Sequence, residues 1–229
     1  MSKEVEEVNN TRACPLCQSR VFLSQKLGLV QCKSCKVTMS PAAFQLDANE
    51  RMEEQWFGDG HKPYRSFWVK WFEMRNNRRT LKKLNLANPP GCRLLEIGVG
   101  SGAFLNAASQ KGYEVLGCDL SSSICNRVNI DYGIEVYCGP VSTLGNDHLF
   151  DIAIMNHVLE HVQQPIEFLQ EVNRHLMPDG VIHIAVPNLD CWQAKLSGWN
   201  SYEPYHLLYF TPETLKRAVI QSGFEINLI

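Results

Sequence analysis

The sequence predicts an α/β protein in which a doubly wound parallel sheet is preceded by a small cysteine-rich ribbon. From residue 91 onward, short apolar strands alternate with helices, which is typical of a parallel sheet covered on both faces. A glycine-rich turn, in the stretch LLEIGVGSG at 94–102, follows the first strand, where such sheets bind nucleotides. Two C-x-x-C pairs near the N-terminus have the spacing of a metal-binding ribbon.

The chain divides into three zones. Residues 11–40 hold four cysteines and short strand-like stretches, and they are expected to form the ribbon. Residues 41–90 are predicted to be a helical connector. Its aromatic residues at 64–72 follow a helical period, which indicates either core packing or a lid over a substrate. Residues 91–229 form the sheet domain.

The elements of the sheet domain follow from hydrophobic runs and turn residues. Strands are expected at 93–97, 114–118, 133–138, 150–155, 181–186 and 224–229, and helices at 103–112, 164–177 and 211–223. The last helix has the clearest start, because Thr211 is a typical N-cap and Pro212 suits the first helical position. Glycine, or Pro-Asp-Gly, marks the helix ends.

Composition limits the class of protein. The chain has 229 residues, of which 45% are hydrophobic and 20% charged, as in globular proteins. No apolar run approaches the ~18 residues of a membrane span, and the acidic, polar first ten residues do not resemble a signal peptide. Nine cysteines in such a chain favour thiols or metal ligands over disulfides, and a cytoplasmic location.

The two cysteine pairs predict a structural zinc site. Cys14 and Cys17 form the first pair, and Cys32 and Cys35 follow fourteen residues later. Tight turns let each pair offer two thiolates to one tetrahedral Zn²⁺, which four soft ligands complete. A redox dithiol would explain one pair but not two.

The glycine-rich turn indicates an adenosine-type ligand. Gly98 and Gly100 allow the backbone to approach a ligand closely, and Asp119, at the end of the second strand, can accept ribose hydroxyls. The spacing also satisfies the dinucleotide fingerprint. However, Glu96 at the strand end would repel a pyrophosphate, whereas it suits a cationic sulfonium amino acid. The sequence therefore favours S-adenosylmethionine over NAD.

Taken in order, these motifs resemble the class I S-adenosylmethionine-dependent methyltransferases, and more narrowly their subgroup with an N-terminal cysteine-rich ribbon. The matching segments are LLEIGVGSGAFL at 94–105, GCDLS at 117–121, FDIAIMNHVLEHVQQPIEFLQEV at 150–172, HLMPDG at 175–180, PNLD at 187–190 and EPYHLLYFTPETL at 203–215. The resemblance implies a Rossmann-like sheet of seven strands, of which the seventh is missing from this chain. It also implies six cofactor-binding residues: Glu96, Gly98 and Gly100 at the methionine end, Asp119 at the ribose, Leu120 at the adenine, and Asn156.

Two histidine-bearing segments are candidates for the chemistry. His206, in an aromatic-rich segment after the fifth strand, is the favoured general base, and His161, after the fourth strand, is the second candidate. His157, Glu160 and His161 are a less favoured candidate site for a divalent metal. They resemble the metal-binding segment of ubiquinone-pathway O-methyltransferases and of small-RNA 3′-end 2′-O-methyltransferases, which have glutamate at the place of His157. A purely structural role for Glu160 and His161 also stays open.

The expected function is methyl transfer to a small polar metabolite, such as a sugar or an antibiotic or polysaccharide precursor. An RNA methyltransferase that holds the backbone with the ribbon and the basic residues of 70–83 is the alternative, and a non-enzymatic nucleotide-binding module is the third. No membrane partner is expected, and the oligomeric state stays open. Because the chain stops in the predicted sixth strand, we expect a sheet that ends early, as in a truncated form. The alternatives are an edge covered by residues 190–210, or a dimer through that edge.

Overall fold

The computed structural model describes residues 7–9, 13–44, 67–87, 90–145, 147–195 and 205–227. The side chains of the predicted aromatic stripe at 64–72 lie outside this description. Within the described residues, the strands are β1 (Glu7–Asn9), β2 (Val21–Ser24), β3 (Val30–Cys32), β4 (Thr38–Met39), β5 (Arg93–Ile97), β6 (Glu114–Asp119), β7 (Val136–Cys138), β8 (Phe150–Asn156), β9 (Leu176–Ala185) and β10 (Leu208–Tyr209). The helices are α1 (Phe67–Ala87), α2 (Ala103–Ser109), α3 (Ser122–Tyr132), α4 (Pro165–Arg174) and α5 (Pro212–Gln221). None of the described helices is both long and apolar enough to cross a membrane.

The chain folds into two compact units. The first lies within residues 1–52, 157–173 and 185–229, and the second within 53–156 and 174–184. The four cysteines of the two C-x-x-C pairs therefore share a unit with α4, β10 and α5, whereas the glycine-rich loop belongs to the other unit.

The first unit contains a five-stranded antiparallel sheet in the order β1-β2-β3-β4-β10. Phe22, Val37 and Met39 are fully buried in this unit, and the ring of Phe22 makes an edge-on contact with Phe44 at 5.2 Å. The strand β10 comes from the aromatic-rich segment that carries His206. It joins the cysteine ribbon as its fifth strand.

The second unit contains a five-stranded sheet in the order β7-β6-β5-β8-β9. The strand β5 pairs in parallel with β6 on one side and β8 on the other, so the strand order reverses at the centre, as in doubly wound sheets. Leu81 and Leu84 of α1 share a buried core with residues of β5, α2 and β8. The predicted α/β fold with a Rossmann-like sheet is confirmed.

The fifth strand and the preceding helix differ from the prediction. The helix α4 ends at Arg174 rather than 177, and β9 begins at Leu176 rather than 181. The reason is that the His175 carbonyl accepts a hydrogen bond from the Phe150 N–H at 2.8 Å, which takes the chain out of the helix and into the sheet. The predicted Pro-Asp-Gly turn survives as a kink inside the strand, where Asp179 has a φ of 66°.

The predicted sixth strand at 224–229 is wrong over its described part. Residues 224–227 form no strand, because the Gly223 and Phe224 amides fold back onto the carbonyls of Ile220 and Val219 and close the end of α5. Residues 228–229 lie outside the described part of the chain. The start of α5 is as predicted, with Thr211 as its N-cap in a reciprocal capping box with Thr214.

Candidate cofactor and catalytic sites

The loop after β5 is built from glycines with left-handed backbone. Gly98, Gly100 and Gly102 have φ values of 72°, 54° and 73°, which only glycine adopts at little cost. A Cβ at Gly102 would lie 2.8 Å from the side chain of Val128, whereas a Cβ at Gly100 would meet nothing within 4 Å. Gly102 therefore lets α2 pack against α3, and Gly100 borders open space.

Asp119, at the end of β6, is tied to this loop. One carboxylate oxygen accepts a hydrogen bond from the Gly100 N–H at 3.4 Å, and the other accepts one from the Ser121 N–H at 3.0 Å. Burial raises the pKa of Asp119, while these backbone donors act in the opposite direction. The next residue, Leu120, is 52% exposed and offers an apolar surface beside the carboxylate.

Glu96 is a buried acid in the central strand. It is 3% exposed and lies opposite Gly117 of β6 and Ile154 of β8. Burying a carboxylate is costly unless polar groups compensate it, and a buried acid near the end of a central strand is a candidate functional group. Asn156 ends the neighbouring strand β8 and is half-buried. The residues that the sequence selected for the cofactor thus lie near the carboxyl ends of β5, β6 and β8, where open α/β sheets bind ligands.

The four ribbon cysteines converge on one point. Their Sγ atoms all lie within 4.8 Å of one another, with Cys14 to Cys35 at 3.5 Å and Cys17 to Cys32 at 3.4 Å. Four Zn–S bonds of ~2.3 Å in a tetrahedron separate the sulfurs by about 3.8 Å, so the donor set fits Zn²⁺.

Both cysteine turns use the same backbone geometry. The amide four residues after the first cysteine of each pair, Gln18 or Lys36, donates to that cysteine's carbonyl at 2.9 and 3.0 Å. Both residues have left-handed backbone, with φ values of 61° and 67°. The chain therefore forms two equivalent turns without the glycine that usually relieves this conformation.

A second cluster forms where the sequence had two separate base candidates. Ligand atoms of Glu160, His161 and His206 lie within 4.8 Å of one another. Glu160 is 1% exposed and His206 is also buried, and Nε2 of His206 is 4.0 Å from Oε1 of Glu160. The rings of His161 and His206 meet edge to face at 4.9 Å. The two candidates are thus parts of one site, although they are far apart in the sequence.

The environment of His161 determines its proton position. Its Nδ1 lies 3.1 Å from the carbonyl oxygen of Tyr205, and a carbonyl can only accept, so Nδ1 carries the hydrogen. Burial lowers the pKa of His161. The ring is therefore neutral near pH 7, with a lone pair on Nε2 that can take a proton or bind a metal. The Tyr205 ring stacks on it at 5.4 Å, a contact that no sequence motif announced.

His157 does not belong to the three-residue group. Its side chain is 67% exposed, and its Nδ1 bonds to Oε1 of Glu160 at 3.1 Å. This hydrogen bond raises the pKa of His157. The sequence grouped His157 with Glu160 and His161 because of their spacing, but the fold brings in His206 instead. The other oxygen of Glu160, Oε2, is buried and has no hydrogen-bond partner among the described residues.

The strand order, the glycine-rich loop and the acid at the end of β6 define an α/β domain of the class that binds adenosine-containing ligands. A family model described as a methyltransferase domain matches residues 70–228, well over half of the chain, and the chain belongs to this family. The four ribbon cysteines and the strands β1 to β4 lie outside the matched residues.

Individual relatives are more distant. The chain is 28% identical over 131 residues to a ubiquinone biosynthesis O-methyltransferase of Bradyrhizobium diazoefficiens, covering 55% of this chain and 51% of that protein. The chain therefore spans about half the length of the curated relatives it matches. Among solved structures, it is similar in fold to magnesium protoporphyrin IX methyltransferase from Synechocystis, with a TM-score of 0.60, 15% identity, and coverage of 80% and 85%. A methyltransferase from Archaeoglobus fulgidus gives a TM-score of 0.53, 22% identity, and coverage of 70% and 75%.

Proposed function

We propose that this chain transfers the methyl group of S-adenosylmethionine to a small polar molecule, such as a sugar or an antibiotic or polysaccharide precursor. The observation that carries the proposal is the buried carboxylate of Glu96 in the strand that leads into the glycine-rich loop. A buried anion at this place opposes a pyrophosphate and favours a cationic ligand. When bound, S-adenosylmethionine supplies a methyl group that is bonded to a positively charged sulfur. The carbon of this methyl group is the electrophile.

In this proposal, the second unit binds the cofactor. Glu96, Gly98 and Gly100 hold the methionine end, Asp119 accepts the ribose hydroxyls and Leu120 lies against the adenine. Asn156 completes the set. The open space beside Gly100 supports this assignment, since the loop backbone is accessible there.

The base candidates belong to the first unit. His206 and His161 are both candidates, and Glu160 stabilises whichever histidine is protonated, because a buried carboxylate next to an imidazole favours its charged form. Nε2 of His206 is 4.0 Å from Oε1 of Glu160, and His206 remains the favoured base. Base assistance is worth about 10²–10⁴ in rate. A divalent metal held by Glu160, His161 and His206 is the alternative use of the same atoms.

Two further assignments accompany this proposal. The converging sulfurs of Cys14, Cys17, Cys32 and Cys35 support a structural zinc ion. All nine cysteines are free, which fits the reducing cytoplasm as the location.

The relatives support a small acceptor. The relative from Bradyrhizobium diazoefficiens is named for the biosynthesis of a small molecule, ubiquinone. The direct test is calorimetry with S-adenosylmethionine, S-adenosylhomocysteine and NAD, followed by methyl-label transfer to panels of polar metabolites. Binding of NAD or another adenosine ligand, without binding of S-adenosylmethionine, would instead support a non-enzymatic nucleotide-binding module.

A specific observation favours RNA as the second candidate acceptor. One face of α1 carries Arg75, Arg78, Arg79 and Lys82, which together line a concave surface. These side chains are exposed, and residues 74–84 contain no acid. Phosphate contacts make binding fall steeply with salt. RNA binding that weakens about linearly in log–log plots against salt, and that is lost in Arg78→Ala/Arg79→Ala, would favour RNA over a metabolite.

A further inference from the structure

The cysteine ribbon is joined by its last strand to the segment that carries His206. The second cysteine pair leads directly into β4, because the Cys32 N–H donates to the Val37 carbonyl at 2.9 Å. In turn, β4 pairs with β10, with Met39 opposite Leu208 and Thr38 opposite Tyr209. His206 stands two residues before β10.

Hydrogen bonds extend this connection to Glu160. The Ser40 N–H donates to the Leu207 carbonyl at 3.0 Å, and the Leu207 N–H donates to the Glu160 carbonyl at 2.9 Å. A separate bond runs from the Gln163 side-chain amide to the Ala43 carbonyl at 3.1 Å. Leu207 therefore bridges the ribbon and the short helical turn of Glu160 and His161, and its neighbour in the chain is His206.

The connection is buried along its length. Thr38 and Met39 of β4, and Leu207, Leu208 and Tyr209 around β10, are at most 5% exposed. Water cannot readily replace backbone hydrogen bonds in such surroundings, so a break is costly. A two-residue strand has few bonds of its own, and its placement depends on the ribbon edge that receives it.

We propose that the cysteine ribbon is the positioning element of the Glu160, His161 and His206 cluster. Closing the two cysteine turns around their metal orders β4, which fixes β10 and Leu207 and thereby sets His206 against Glu160. This inference rests on the proposed function for its catalytic consequence, but its structural part concerns the first unit alone. The ribbon residues act through β4 and Leu207, and they touch no reacting atom.

The sharpest test removes one hydrogen bond donor. Ser40→Pro deletes the N–H that bonds Leu207, whereas Ser40→Ala keeps it and removes only the side-chain hydroxyl. We expect Ser40→Pro to raise amide exchange in residues 205–210 and 159–163 and to lower kcat at least about tenfold. The affinity for S-adenosylhomocysteine should stay within about twofold, because the cofactor residues lie in the other unit. Ser40→Ala should behave as the parent protein in each measurement.

A second pair of variants tests the same inference if Ser40→Pro does not fold. Cys35→Ser opens the cysteine site, and Cys191→Ser, in the same unit but outside the site, is its control. Exchange should rise at 205–210 in Cys35→Ser only, with residues 94–105 unchanged. If the amide exchange of residues 205–210 in Cys35→Ser equals that of the parent protein, the inference is overturned. This holds both when the variant has lost a metal and when the parent protein contains none. Amide exchange is measured without any catalytic reaction. It therefore tests the role of the ribbon even if the proposed methyltransferase function is wrong.

Discussion

Alanine at Gly100 and at Gly102 should separate a ligand role from a packing role in the glycine-rich loop. Both positions have left-handed backbone, in which alanine costs about 1–2 kcal/mol. At Gly102, a Cβ would also lie 2.8 Å from Val128 and 2.9 Å from Tyr132, and such overpacking adds about 1–3 kcal/mol. Gly102→Ala should therefore lower the free energy of unfolding by about 2–5 kcal/mol, and Gly100→Ala by only about 1–2 kcal/mol.

The two variants should rank in the opposite order for binding. A methyl group at Gly100 enters the open space that we assign to the cofactor, so the Kd for S-adenosylhomocysteine should rise at least about tenfold, or ~1.4 kcal/mol. Gly102→Ala places its methyl group against α3, away from that space, and its Kd should change less than about threefold once the protein is folded.

Urea unfolding gives the stability of each variant, and calorimetry at a temperature where both are folded gives the Kd. An unchanged Kd in Gly100→Ala would refute the placement of the cofactor at this loop. Equal losses of binding and stability in both variants would show that the loop acts only through folding.

The remaining predictions concern the other candidate residues. Asp119→Ala should weaken S-adenosylmethionine binding by about 1–3 kcal/mol in calorimetry, because it removes the acceptor that we assign to the ribose hydroxyls; an unchanged Kd would remove Asp119 from the site. Metal analysis of freshly reduced protein should find about one zinc per chain, and Cys14→Ser should release it; protein without zinc contradicts the structural-metal proposal. His206→Ala should lower kcat by about 10²–10⁴ with cofactor affinity intact; if only His161→Ala has this effect, His161 is the base, and activation by Mg²⁺ or Mn²⁺ would favour the metal alternative. Burial lowers the pKa of His161, so if this ring must be neutral, kcat/KM should fall with acid only at a pH below the ordinary ~6.5 of histidine; a midpoint above that value would count against it.

Local signals predicted the parts of the molecule that are decided locally. The segment from β5 through the glycine-rich loop into α2 could be predicted, because each glycine of the loop adopts a left-handed backbone conformation that favours glycine. The cap at Thr211 and the two cysteine turns are of the same kind.

The two errors have different causes. The carbonyl of His175 is taken by Phe150, a distant segment of the sheet, and so does not continue the helix, whereas the amide of Phe224 closes the end of α5 locally instead of starting a strand. The cluster of Glu160, His161 and His206 depends on Leu207 bonding to both the ribbon and the turn. No spacing rule links these segments, so the sequence could select His161 and His206 separately but could not predict that they lie together.

The pairing of β4 with β10 also has a consequence for synthesis on the ribosome. The four strands β1 to β4 of the ribbon are made long before its fifth strand, which lies at Leu208–Tyr209. Until that segment is made, the edge of β4 has no partner, and exposed strand edges attract other chains. Early closure of the cysteine turns would hold the nascent ribbon in a compact form during this interval. Growth in metal-poor medium should therefore lower the yield of soluble protein. The loss should occur during translation, and not by unfolding of protein that has already folded.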